Sequence, residues 1–115
     1  MIEGGVALTP LPQADGQARL RPAVRLRKVP PSGDGLVCGV GTQLHHEAVG
    51  FDDLIEPSHL DFAGSGLKAP SLVRLGFVAA LPSTALLGDI GCISSERHER
   101  LLQRLDAFLR APRST

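Results

Sequence analysis

The sequence contains no tryptophan and no tyrosine, and its 115 residues include only four phenylalanines. An aromatic-rich core is therefore excluded, and the core has to be built from leucine, valine, isoleucine and alanine. Apolar residues still make up 43% of the chain, which is too many for a chain that is disordered by composition. This length fits one domain with one modest core, so we expect a single domain over residues 1–115.

Cysteine is also scarce. Cys38 and Cys92 are the two cysteines of the chain, and both lie in apolar segments, so we expect buried, reduced thiols rather than a disulfide. Two cysteines are too few for a structural zinc site, and their spacing from His45 and His46 matches no zinc pattern. We therefore expect neither a metal nor a cofactor.

Long apolar runs and a secretion signal are missing as well. The longest apolar stretch covers residues 75–81, far short of the roughly 20 residues that span a bilayer. The first residues, Met-Ile-Glu-Gly-Gly, have neither a basic start nor an apolar signal core. We expect a soluble, cytoplasmic protein that does not bind membranes.

The sequence also lacks an excess of positive or negative charge. Twelve Lys and Arg balance twelve Asp and Glu, so the net charge does not indicate a nucleic-acid partner. The two signs are unevenly distributed, because residues 47–66 contain five acidic residues and no Lys or Arg. Folding could therefore concentrate basic residues on one surface, or it could give a mixed, solvated surface.

Thirteen glycines and nine prolines divide the chain into short segments. Several segments are apolar throughout or alternate apolar with polar residues, as strands do. In one of them, Val24 and Leu26 alternate with Arg25 and Arg27, which predicts both arginines on the solvent side. We predict a polar loop over 13–20 and strands at 6–8 (ended by Pro10 and Pro12), 24–27, 36–40, 54–55, 71–75, 77–81 and 87–93. Such a series indicates a small β-barrel or a β-sandwich.

The clearest local signal is an amphipathic helix near the C-terminus. Ser94 is a good N-cap, and Glu96 lies in the first turn, near the positive end of the helix dipole. The apolar residues that follow at helical spacing are Leu101, Leu102, Leu105, Phe108 and Leu109. The arginines that lie largely off this stripe are Arg97, Arg100, Arg104 and Arg110. The sequence therefore predicts a mainly β fold, a β-barrel plus a C-terminal helix packed on its outside.

Three patterns that often carry chemistry are incomplete. Residues 64–68, Gly-Ser-Gly-Leu-Lys, lack the Walker spacing, and Gly39-Val40-Gly41 lacks the third glycine of a dinucleotide fingerprint. The nucleophile-elbow motif Gly-x-Ser-x-Gly is absent. Kinase and serine-hydrolase signatures are therefore unsupported.

Five short motifs follow one another along nearly the whole chain. They are Gly-Val-Ala-Leu at 5–8 with Leu-Pro at 11–12, Arg-Pro at 21–22, Thr-Gln at 42–43, Ser-Gly-Leu-Lys-Ala-Pro-Ser-Leu-Val at 65–73, and Gly-Asp-Ile-Gly-Cys-Ile-Ser at 88–94. Their order and spacing resemble the PemK/MazF family, the toxins of type II toxin–antitoxin systems.

The resemblance implies an SH3-like small barrel of the CcdB/PemK kind with a terminal helix, usually a homodimer. It also implies a metal-independent endoribonuclease that cleaves single-stranded RNA, inhibits growth and is silenced by a cognate antitoxin in the substrate groove. Carried over residue by residue, the family's catalytic pair corresponds to Arg21 and Thr42.

Other candidate residues come from this sequence itself. His45 and His46 closely follow the Thr-Gln motif, and imidazole, with an ordinary pKa of about 6.5, suits acid–base catalysis. They are candidates for the acid or base, with two exposed loop histidines as the alternative. The candidates for RNA contact are Arg25, Arg27, Lys28 and Gln43, although the three basic residues are also typical of a solvated strand face.

The chain departs from the family pattern at residues 75–80, Leu-Gly-Phe-Val-Ala-Ala, where many relatives have a polar run with a Gln and an Arg. An exposed apolar strip over 77–81 would favour a homodimer. Two other functions stay open. A catalytically silent binding protein predicts Arg21 and Thr42 apart or blocked, and a CcdB-like gyrase poison requires residues 105–110 of the helix as an exposed contact surface.

Overall fold

The structure, a computed structural model, describes residues 2–12 and 16–114. The strands in this part of the chain are β1 (Gly5–Pro12), β2 (Ala18–Val29), β3 (Asp34–Gly41), β4 (Asp53–Ile55), β5 (Ser71–Leu81) and β6 (Asp89–Cys92). The helices are α1 (Phe62–Ser65) and α2 (Ser95–Arg110), with 3-10 turns at Leu44–His46 and Ser83–Ala85. The predicted mainly β fold with a terminal helix is confirmed.

All six strands belong to one antiparallel sheet with the order β4-β5-β3-β2-β1-β6, which curls into a half-barrel. One surface of the sheet, which we call the helix face, carries Val24 and Leu26 and packs against Leu101 of α2. The opposite surface, which we call the second face, carries a smaller cluster of Ala7, Ala23, Val37 and Leu86. The described residues thus form a single curled sheet rather than a sandwich of two.

Strand β1 is longer than predicted, because it continues through Pro10 and Pro12. Leu8 of β1 still exchanges backbone hydrogen bonds with Leu87 and Gly88, and beyond Leu8 the strand is an edge that pairs with β2 only. A proline on an edge strand leaves no ladder hydrogen bond unmade, provided that its missing N–H faces away from the neighbour. Of the loop predicted over 13–20, residues 13–15 lie outside the described residues, and residues 18–20 already belong to β2.

The two strands predicted over 71–75 and 77–81 form one strand, β5, with an irregularity in the middle. The register against β3 shifts there, so that Cys38 pairs with Val78 while Gly39 pairs with Arg74. Leu75 turns into the core, and its N–H donates to the Asp52 carboxylate over 3.0 Å instead of to β3. A side chain therefore replaces the missing ladder bond.

Helix α2 begins as predicted, because the Ser94 hydroxyl accepts a hydrogen bond from the Arg97 N–H at 3.1 Å. Its apolar stripe is buried only in the first half. Leu101 is fully buried, whereas Phe108 and Leu109 are 61% and 70% exposed. The Phe108 ring still contacts the ring of Phe51, with 5.0 Å between centroids. No helix within residues 2–12 and 16–114 is long and apolar enough to cross a membrane.

The short helix α1, which follows the edge strand β4, packs against the other edge strand, β6. A Cβ atom at Gly91 of β6 would overlap the backbone of Gly64 and Ser65. The lack of a side chain at this position therefore lets the segment after one edge of the sheet approach the other edge. Cys92, beside Gly91, is exposed, so the prediction of two buried thiols is correct for Cys38 only.

Candidate functional site

Arg21 lies in β2, directly opposite Thr9 of β1. Opposed residues of an antiparallel pair share a face of the sheet, and both lie on the second face, because Ala7 and Ala23 belong to its cluster. The Arg21 side chain is half-buried. Thr9 beneath it is fully buried, and its hydroxyl has no hydrogen-bond partner.

Thr42 and Gln43 follow β3 immediately, in the bend that leads to the Leu44–His46 turn, and both are exposed. Ala23 pairs with Gly39 in the antiparallel β2–β3 ladder. Two residues before Ala23 and two residues after Gly39 therefore lead to the same end of the ladder, where Arg21 and Gly41 lie. Thr42 is the next residue, so the predicted pair Arg21 and Thr42 lies at one end of the β2–β3 pair.

The two histidines form the 3-10 turn that follows Gln43. Both are exposed. The ring centroids of His45 and His46 are 4.3 Å apart, and the rings meet edge to face at 64°. Neutral imidazole in such a position can accept a proton from a substrate hydroxyl.

Arg25 is not on the solvent side, contrary to the alternation that predicts it there. It is only 6% exposed, and its Nε donates to Asp89 of β6 at 2.8 Å. This ion pair passes over β1 next to Gly5, where an added Cβ would come within 2.9 Å of the Asp89 carboxylate. Arg25 is therefore engaged inside the fold, by a partner 64 residues along the chain.

Arg27 and Lys28 are exposed, as predicted. Both contact Glu3, whose carboxylate lies 3.5 Å from the Arg27 Nε and accepts the Lys28 backbone N–H at 2.9 Å. Six residues of strand separate Arg27 from Arg21, about 20 Å at 3.4 Å per residue. The structure therefore does not bring Arg27 and Lys28 together with the predicted catalytic pair.

A second polar cluster, which sequence reasoning missed, lies between α2 and the acidic segment 47–61. At its centre is Arg97, only 4% exposed. Its Nε and Nη2 donate to the Asp61 carboxylate at 2.8 and 3.0 Å, and its Nη1 donates to Asp53 at 2.7 Å and to the Leu54 carbonyl at 2.8 Å. Nη2 also lies 3.2 Å from Nδ1 of His59.

Two further arginines of α2 reach the same carboxylate of Asp53. Arg100 donates from Nη2 at 3.0 Å, and Arg104 from Nη1 at 3.3 Å. Arg104 also donates to the Asp52 carbonyl at 2.6 Å. We call the set of Arg97, Arg100, Arg104, Asp53 and Asp61 the arginine network.

Two groups of the arginine network, Asp61 and Arg97, are favoured in their charged forms. Hydrogen bonds from Arg97, together with the Ser94 N–H, keep the pKa of Asp61 well below its usual range despite partial burial. Burial disfavours the charged guanidinium of Arg97, but hydrogen bonds to Asp61 and Asp53 outweigh it and raise the pKa of Arg97. The pKa of a carboxyl group that was buried without such partners would instead be raised.

The arginine network lies along a groove of about 1020 Å³, whose lining also includes Glu47 and Glu96. Its buried charges already have partners within the fold, so the network anchors α2 to the segment around β4 rather than presenting free groups to a ligand. One signal in the sequence could have indicated it. Three arginines spaced three and four residues apart share one face of a helix, and residues 47–66 have acidic residues without any Lys or Arg.

A metal site is not apparent in the part of the chain that the structure describes, where no group of three or more His, Cys, Asp or Glu side chains could hold an ion. The end of the β2–β3 pair, with Arg21, Thr42, Gln43, His45 and His46, is thus the candidate functional site. In comparisons with known proteins, the sequence matches no protein-family model and no curated protein.

Proposed function

We propose that this chain is a PemK/MazF-like toxin with an SH3-like barrel, a metal-independent endoribonuclease that cleaves single-stranded RNA and so inhibits growth. One observation carries the proposal: Arg21 and Thr42 lie at the same end of the β2–β3 pair. The order of the five sequence motifs supports the same family. A silent binding protein, by contrast, predicts this pair apart or blocked.

The proposed reaction uses the ribose 2′-hydroxyl next to the cleaved bond. Its oxygen bonds to phosphorus, the bond from phosphorus to the 5′-oxygen breaks, and the products end in a 2′,3′-cyclic phosphate and a 5′-hydroxyl. Negative charge grows on the two nonbridging phosphoryl oxygens in the transition state. The planar fork of Arg21 suits both of these oxygens. Since arginine stays protonated, we assign Arg21 an electrostatic role and not proton transfer.

Thr42 and the two histidines supply the remaining groups of the proposed mechanism. The exposed Thr42 hydroxyl donates one more hydrogen bond to the phosphoryl group. The 2′-hydroxyl proton needs an acceptor and the leaving 5′-oxygen needs a proton, and His45 and His46 are the candidates for these transfers. Losing one preorganised donor in such a site costs about 2.7–4 kcal/mol of transition-state stabilisation.

The proposed RNA path uses only some of the predicted contact residues. Gln43 adjoins Thr42 and is exposed. Arg27 and Lys28 would contact the RNA several nucleotides away from the cleaved bond. Arg25 is not part of the path, because its side chain is buried against Asp89.

Two protein partners belong to the proposal. The first is a second copy of the chain, which is supported by Val78 and Ala80, exposed apolar residues of β5. The second is a cognate antitoxin that occupies the RNA site, for which the support is the resemblance in sequence.

The test begins in a bacterial host, with the wild type and Arg21→Ala expressed from a tightly regulated promoter and total RNA mapped for new 5′ ends. We expect growth arrest and discrete cuts with 5′-hydroxyl ends, both lost in Arg21→Ala. The matched control is Arg110→Ala, because Arg110 is an exposed arginine at the end of α2, away from the second face. Arrest and cuts should persist in this control.

The purified protein then receives a synthetic single-stranded RNA in the presence of EDTA. Cleavage should continue in EDTA and should stop when the ribose at the cut site is replaced by 2′-deoxyribose. Arg21→Ala should slow cleavage about 10²- to 10³-fold. Intact RNA with folded wild-type protein, both in cells and in vitro, would reject the endoribonuclease.

One observation favours a second candidate, a CcdB-like poison of a macromolecular target such as gyrase. Phe108 and Leu109 at the end of α2 are mostly exposed, as that function requires. Growth arrest with intact RNA, relieved by Leu109→Ser but not by Arg21→Ala, would support this candidate over the ribonuclease.

A further inference from the structure

Phe77 differs from the other aromatic residues in its position. Phe51 and Phe62 pack against the core on the helix face, and Phe108 contacts Phe51. Phe77 lies on the second face, where its ring covers Gly39 of β3, and it is 41% exposed. It is thus an accessible aromatic ring on the same face of the sheet as Arg21.

Glycines in β3 make room on the second face between β2 and β5. A Cβ atom at Gly39 would come within 3.1 Å of the Phe77 ring, so a side chain at residue 39 would push the ring aside by a few tenths of an ångström. A Cβ atom at Gly41, the neighbouring position on the same face, would meet nothing within 4 Å. The second face therefore has open space at Gly41, between Arg21 and the Phe77 ring.

Arg74 of β5 borders the same surface, directly opposite Gly39. Its Nε is buried without a hydrogen-bond partner, and no ion pair of Arg74 is found within residues 2–12 and 16–114. Asp89, an acid on this face, is already paired with Arg25. The Arg74 guanidinium thus has no hydrogen-bond or ion-pair partner within the described residues that a phosphate would have to displace.

Arg74 and Arg21 are close enough to bind the same RNA strand. They lie on either side of β3 and differ by two residues along it. With strands about 4.8 Å apart and a rise of about 3.4 Å per residue, their Cα atoms are about 12 Å apart. Two long side chains at this separation can engage neighbouring phosphates.

We propose that Phe77 and Arg74 form a second nucleotide subsite beside the candidate cleavage site. In this subsite, a base stacks on the Phe77 ring and the adjacent phosphate binds Arg74. Gly41 leaves room for the RNA to continue to Arg21. Stacking on an aromatic ring together with a cation for the phosphate is the usual way in which proteins bind single-stranded nucleic acid. The inference rests on the proposed function in that the ligand is RNA, and it extends that function to a nucleotide which is not itself cleaved.

The test measures binding separately from cleavage. The probe is a short, fluorescein-labelled RNA oligonucleotide with 2′-deoxyribose at the cut position, titrated with the full chain and followed by fluorescence anisotropy. Phe77→Leu should raise Kd about 5- to 150-fold, the range for one stacked base. Phe77→Tyr, which keeps the ring, should bind within about twofold of the wild type. Phe108→Leu, an exposed phenylalanine on the other side, is the matched control and should leave Kd unchanged.

Arg74 is tested through the salt dependence of Kd. One lost phosphate contact lowers the slope of log Kd against log salt by about 0.7 for a single strand, so Arg74→Gln should show this decrease. Arg110→Gln, the matched control, should keep the wild-type slope. A general loss of structure would not lower the slope by one contact, and cooperative unfolding of each variant confirms that it is folded.

The outcomes separate the subsite from the proposed function. Wild-type cleavage with unchanged Kd in Phe77→Leu and an unchanged slope in Arg74→Gln overturns the subsite and leaves the ribonuclease in place. RNA binding that depends on Phe77 and Arg74, without cleavage, overturns the ribonuclease and keeps the subsite. A wild type that neither binds nor cleaves overturns both. A Phe77→Leu variant that loses self-association in sedimentation but keeps its Kd assigns the ring to a contact between copies, and the subsite is then rejected.

Discussion

Replacing Arg97 by methionine should destabilise the protein far more than the same replacement at Arg100, one turn along the helix. Methionine keeps the length and the helix propensity of the side chain but removes the guanidinium. The change takes two charge-assisted hydrogen bonds from Asp61, one from Asp53 and one from the Leu54 carbonyl. Asp53 retains Arg100 and Arg104, whereas Asp61 retains the Ser94 N–H.

The expected size follows from burial. The side chains of Arg97, Asp53 and Asp61 are 5%, 9% and 12% exposed, and removing one partner of a buried ion pair costs about 3–5 kcal/mol. The Arg100 side chain is 41% exposed, and exposed pairs contribute about 0–1 kcal/mol because water and salt screen them. Arg97→Met should therefore lose several times more stability than Arg100→Met.

Urea unfolding followed by circular dichroism measures the difference. With a slope near 2 kcal/mol/M, Arg97→Met should lower the midpoint by about 1.5–2.5 M and Arg100→Met by less than about 0.5 M. The slope itself should stay the same in all three proteins if the native state keeps its compactness. Equal midpoints for the two variants would refute the claim that burial of Arg97 decides its contribution.

Two further predictions concern titratable groups. Because the folded pKa of Asp61 lies below its unfolded value of about 4, the stability from its pairing is fully present above pH 4 and is lost as the pH falls through the folded pKa. The urea midpoint should therefore keep falling below pH 4, and Asp61→Asn should weaken that dependence; parallel pH profiles would contradict this. Burial raises the pKa of Cys38 to about 12, whereas Cys92 is exposed. A maleimide should accordingly label one thiol in the native protein and both in urea, and rapid labelling of both under native conditions would contradict the burial of Cys38.

The main elements of the fold could be predicted from local patterns. The apolar run at 36–40 became the buried strand β3, and the Ser94 cap with the stripe that includes Leu101 became α2. The predicted strand boundaries were wrong where contacts with residues distant in the sequence determine the structure. Pro10 could stay in a strand because β1 is an edge there, and residues 71–81 stayed one strand because Asp52 accepts the N–H of Leu75.

The candidate site was less predictable, for the same reason. Alternation along β2 marked Arg25 as solvent-facing, and helical spacing marked Arg97 as lying off the apolar stripe. Both are buried, because carboxylates 64 and 36–44 residues away neutralise them. A local pattern shows which residues are polar, but it does not show the distant partner whose charge offsets the cost of burying an arginine. Arg74 is the opposite case, since no local pattern singles it out and only the strand register shows its position.

The pairing of β6 with β1 also bears on how the protein is made. Domains begin to fold from the N-terminus during synthesis, and β1, β2 and β3 can pair as soon as they leave the ribosome. Until residues 89–92 follow, however, one side of β1 has no partner strand and Arg25 has no Asp89. An unpaired strand edge is a surface on which chains aggregate. A ribosome that pauses before β6 therefore leaves this edge of β1 open to pairing with another chain until residues 89–92 arrive.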